Sequence, residues 1–122
     1  MADTYYKVCA AWQDGTLKSA VAPPSTRVEY RTGSKTKPAE GCGPLAVFRY
    51  KAHAEAYWCF IGSRTHKVFE CTAENVRVPP EHGKIMWSER DCVLACEYRP
   101  TGTLLADSVT LIREVTEKEL HP

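Results

Sequence analysis

One stretch of this chain repeats its apolar residues at helical spacing, while the rest is cut into short runs that suit strands. In KAHAEAYWCFIG (51–62), Ala54, Tyr57, Trp58 and Ile61 fall at i, i+3, i+4 and i+7, which is one helical face. Lys51 and Glu55 stand four apart on the other side, facing solvent. Gly62 is placed to end the helix, because a glycine accepts the positive φ that closes a last turn. No Ser, Thr, Asp or Asn caps the start, so the first turn is expected to fray.

The strand signals lie on both sides. Asp14-Gly15 sits between YYKVCAAWQ and TLKSAVA, and predicts a hairpin with a type I′ turn joining strands near 4–12 and 17–22. Pro23-Pro24 stops the second strand, since proline donates nothing to a ladder. RVEYR (27–31) reads as a third strand, with Arg27, Glu29 and Arg31 on one face and Val28 and Tyr30 on the other. TGSKTKPAEGCG (32–43) has almost nothing apolar to bury and is expected to be a mobile surface loop. PLAVFRY (44–50) reads as a central strand and HKVFECTAENVRV (66–78) as one or two more. EHGKIMWSERD (81–91) is open between a loop and a short helix starting near Met86. CVLACEY (92–98) reads as a strand, RPTGT as a turn and TLLADSVTLIREV as further β structure. The charged tail REVTEKELHP is either frayed or a short helix. The sum is one domain over 1–122. Its expected fold class is α+β: a mainly antiparallel β-sheet of seven or eight short strands, with one main helix near 51–61 packed on one face through Tyr57 and Trp58.

Sixteen basic and fifteen acidic side chains nearly cancel, which removes any global attraction to nucleic acid or anionic membrane. No apolar run approaches the roughly 20 residues that span a bilayer. The first residues lack a signal-peptide pattern, so a cytoplasmic location is expected. In a reducing compartment the six cysteines are expected to be free core thiols. Cys92 and Cys96 form a C-x₃-C without a second pair, which is no zinc site; neither metal nor cofactor is expected.

The chemistry-bearing residues are sparse. Arg27, Arg31, Lys35, Lys37, Arg49 and Lys51 fall within 25 residues, interleaved with Tyr30, Phe48 and Tyr50. Cations beside aromatics suit a phosphate, a nucleotide or a single strand, by ion pairing and stacking. The alternative for these residues is a solvated strand face beside a loop whose lysines discourage edge pairing. Cys42 between two glycines and His53 near a helix start form a conceivable thiol–imidazole pair, with Glu55 or Glu40 to orient the ring. The remaining carboxylates carry no motif, and there is no phosphate loop, G-x-S-x-G or H-E-x-x-H.

The order VEYRTG, polar loop, LAVFRY, HAEAYW, VFEC and ADSVTLIREV, over residues 27–115, resembles small uncharacterised proteins of phages and mobile, integron-type gene cassettes. That resemblance implies a fold and no functional residue. The YR-G element before a strand and helix is also similar to ADP-ribosyltransferase-like domains, which would imply an enzyme acting on a nucleotide or other anionic substrate and a catalytic glutamate in a late strand. The expected function is a non-enzymatic ligand- or partner-binding domain, with a second copy of the chain among the expected partners. A small anionic ligand would be held by Arg31, Lys35, Lys37, Arg49, Tyr50 and His53.

Overall fold

β1 (Tyr5–Ala11) is the strand around which the sheet is built, because it has partners along both edges. On one edge it pairs antiparallel with β6 (His66–Glu74), from Tyr5↔Cys71 to Ala10↔His66. The other edge is shared. β2 (Leu17–Ser19) takes residues 9–11, and β5 (Leu45–Phe48) meets β1 at Tyr6↔Phe48. The sheet therefore forks beside Lys7 and Val8. One arm runs from β2 to β3 (Glu29–Tyr30), the other from β5 to β9 (Thr103–Ala106). Beyond β6 lie β10 (Ser108–Val115) and then β4 (Lys35–Thr36). The computed structural model describes residues 3–20, 28–38, 44–79, 87–88, 93–94 and 102–120.

Both arms return to the far side of the sheet. Asp107 alone separates β9 from β10, and residues 31–34 alone separate β3 from β4, a link of no more than about 18 Å. Eight antiparallel strands thus curl towards a barrel. β7 (Trp87–Ser88) and β8 (Val93–Leu94) form a separate antiparallel pair.

Curling gives the sheet two cores. Inside it, Tyr5, Cys9, Tyr30, Val47, Phe69 and Leu111 pack together. Outside it, α1 (Lys51–Ile61) lays Ala54, Tyr57 and Trp58 over Val8, Val68 and Val115. Each large side chain buried there is worth about 1.5–3 kcal/mol. The Trp58 indole donates to the His66 carbonyl at 2.8 Å and ties helix to sheet. The helix starts at Tyr50 with no side-chain cap, and Gly62 (φ 134°) donates its N–H to the Trp58 carbonyl, as the sequence predicts.

Four expectations need correction. The Asp14-Gly15 turn is not type I′. Gly15 has φ 89°, and Asn75 is the one non-glycine with positive φ among the described residues. Gly15 N–H donates to the Trp12 carbonyl and Trp12 N–H to the Thr16 carbonyl, both at 2.9 Å. That is a type I turn closed by a glycine bulge. The second strand is also shorter than expected, since β2 ends at Ser19 and 21–27 lie outside the described residues.

Next, the polar segment 32–43 contains β4, which pairs with Val109 and Thr110; residues 39–43 lie outside the described ones. Of the two forms expected of the tail, the short helix is the one present. Thr116 and Glu119 cap α2 (Glu117–Leu120) reciprocally, the Thr116 N–H donating to the Glu119 carboxylate at 3.0 Å and the Glu119 N–H to the Thr116 hydroxyl at 3.3 Å, and Leu120 is buried against α1. Finally, Cys9 and Cys71 are buried free thiols, but Cys59 is free and exposed on α1. Cys42, Cys92 and Cys96 lie outside the described residues.

Candidate functional site

Alternation along β1 puts Tyr5, Lys7 and Cys9 on the face that turns into the curled sheet. A lysine is thereby carried inside. Lys7 is only 6% exposed. Its ammonium donates to the Ala46 carbonyl at 2.6 Å, crossing the fork from β1 to the β5 arm. It also lies 5.2 Å from the centre of the Tyr30 ring, on the other arm, in range for a cation–π contact. Lys7 therefore spans the opening between the two arms.

Tyr30 is 2% exposed, and its hydroxyl has no hydrogen-bond partner among the described residues. Lys7 and Ser19 lie beside that hydroxyl without hydrogen-bond geometry. The Ser19 hydroxyl oxygen instead accepts the Val28 N–H at 3.1 Å. An ammonium carries three donors and a phenol one. One of these four, the bond to Ala46, has an acceptor in hydrogen-bond geometry among the described residues, which leaves three donors without one.

The charges point the same way. Burial works against the Lys7 ammonium, Tyr30, Cys9 and Cys71 work for it, and its pKa lies above the ordinary lysine value. Burial pushes both thiols up to about 12 and raises the Tyr30 phenol. At neutral pH the cluster is one cation among neutral groups. No ion pair among the described residues includes Lys7. A buried charge without a partner is costly, and such groups concentrate at functional sites.

The residues expected from the sequence to form one surface are spread over the fold. Arg31 follows Tyr30, which aligns through Leu17 with Ala11 at the end of β1. It is exposed, 3.4 Å from Glu29. Lys35 lies on β4, 2.8 Å from Glu74, and the exposed Lys37 follows two residues later. Glu74 is held below the usual carboxylate range by hydrogen bonds from Lys35 and Ser108. Arg49 lies 5.8 Å from the Tyr5 ring, at the start of β1.

Arg49, Tyr50 and His53 are thus brought to one place, the entry of α1. The Tyr50 and His53 rings meet edge-on at 5.6 Å, and the buried Nδ1 of His53 has no hydrogen-bond partner among the described residues. Cys42, the expected thiol partner of His53, lies outside the described residues. Sequence reading missed Lys7. The signal available was a lysine in YYKVC, flanked by apolar residues on both sides within one strand.

Among the described residues, no group of three His, Cys, Asp or Glu is placed to hold a metal ion. No helix among them is long and apolar enough to cross a membrane. Comparison with protein-family models, with curated proteins and with solved structures returns no match.

Proposed function

We propose that this chain is a small ligand-binding domain that takes a compact anion, or one carboxylate of a larger ligand, on Lys7 and Tyr30 inside the curled sheet. The observation that carries this reading is the donor excess: a buried ammonium with one protein acceptor beside a buried phenol with none. An acceptor-only guest satisfies the remaining donors and cancels the charge together. The raised thiol pKa values argue against nucleophilic or redox work at Cys9 and Cys71, because the thiolate is the reactive form. The two cysteines sit on neighbouring strands four positions out of register, about 13 Å apart and beyond disulfide reach.

A direct test is titration of the full chain with chloride, formate and acetate, followed by amide NMR. The Ala46 and Tyr30 amides are expected to shift saturably in the wild type and not in Lys7→Met. Absence of a saturable shift in the wild type overturns the proposal, as does the same shift in Lys7→Met.

A further inference from the structure

A cleft opens on the outer face of the curled sheet, where the C-terminal end of α1, β6, the end of β10 and α2 meet. Its volume is about 150 Å³, the size of a cavity that elsewhere takes a benzene-sized guest. Trp58, Val68, Val115 and Leu120 give it an apolar floor, and its other walls carry charge of both signs. Lys67 and Glu114 line it and neutralise each other at 3.4 Å. That leaves Arg64 and Glu117, which line the same cleft and make no hydrogen bond or ion pair among the described residues, with each other or with anything else.

A free guanidinium and a free carboxylate over one apolar floor, too far apart to pair, define a ligand with two ends. We infer that this cleft binds a small zwitterion of the amino-acid class. The carboxylate end meets Arg64, whose planar fork suits it, the ammonium end meets Glu117, and the aliphatic part rests against Trp58. The cleft is smaller than the usual range for drug-sized ligands, so the guest is a small one. The inference is independent of Lys7, which lies on the opposite face of β1 from the Val8 core.

The test is NMR titration of the full chain with L-alanine, propionate and ethylamine, which share a skeleton and differ in charge. The readout is the Trp58 indole N–H, assigned with Trp58→Phe. L-alanine is expected to shift it saturably, with both single-charge analogues at least about tenfold weaker. Arg64→Gln and Glu117→Gln should each reduce L-alanine to the level of the analogues. No saturable shift at tens of millimolar, or equal response to all three compounds, overturns the inference. So does propionate binding as tightly as L-alanine, which would mark a plain anion site.

Discussion

The Lys7 ammonium lies 5.2 Å from the centre of the Tyr30 ring inside the curled sheet, Lys7 coming from β1 beside the fork and Tyr30 from β3 at the end of one arm. Lys7→Ala should cost about 2–4 kcal/mol, because it opens a cavity and leaves the Ala46 carbonyl without its donor. Lys7→Met fills the same space and removes the buried charge. With no anion present it should lie within about 1 kcal/mol of the wild type. Urea unfolding of both variants in a low-anion buffer checks this order.

Gly102 (φ 84°) is pressed against His53, so that a Cβ there would overlap the imidazole at Nδ1. Gly102→Ala should therefore cost about 2–4 kcal/mol, from left-handed backbone and overpacking together. Adding His53→Ala should return the overpacking part and leave the backbone part. A double-mutant cycle by chemical denaturation separates the two.

The helix and the first hairpin were legible because their signals are local. The 3.6 spacing of Ala54, Tyr57 and Trp58, the closing Gly62 and the Asp14-Gly15 turn each need only a few neighbours to act. The turn type was misread because Asp14 keeps negative φ while Gly15 alone takes the positive value. β4 was invisible because Lys35 and Thr36 join the sheet through backbone bonds to β10, which need no apolar side chain. Lys7 was missed for a related reason. One face of an antiparallel strand commonly meets water, but β1 is covered on both faces, by α1 outside and by the sheet's own curl inside. That closure depends on β3–β4 and β9–β10 links far from residue 7.

Thiol reactivity should divide by burial. Cys59 is exposed, whereas Cys9 and Cys71 are buried with pKa values of about 12. Alkylation of the native chain at pH 8, read by peptide mass spectrometry, should label Cys59 and spare Cys9 and Cys71. Both should react on unfolding. Labelling of Cys9 or Cys71 at the rate of an unfolded chain would contradict the fold.

Acid should loosen the C-terminal helix. The Arg113 guanidinium, held between Glu70 and Glu119 at 2.9 Å to each, and the Thr116 backbone N–H pull the Glu119 carboxyl down to about 2. Its folded pKa is depressed, so its contribution is complete above the unfolded value of about 4.3. That contribution is lost as pH falls from there through 2. Glu119→Gln should flatten the stability profile in that window and leave its slope above pH 5 unchanged. Acid titration followed by Trp58 fluorescence in both proteins measures the difference.

Thermal unfolding at fixed ionic strength tests whether Lys7 and Tyr30 hold an anion. Chloride, formate or acetate would replace gluconate stepwise in the wild type and in Lys7→Met. A ligand bound only by the folded chain adds about 2.7 kcal/mol at a hundredfold excess over Kd, which is several degrees in Tm for a chain of this size. Tm of the wild type should climb with at least one of these anions while that of Lys7→Met stays level. Parallel curves for the two proteins would contradict it.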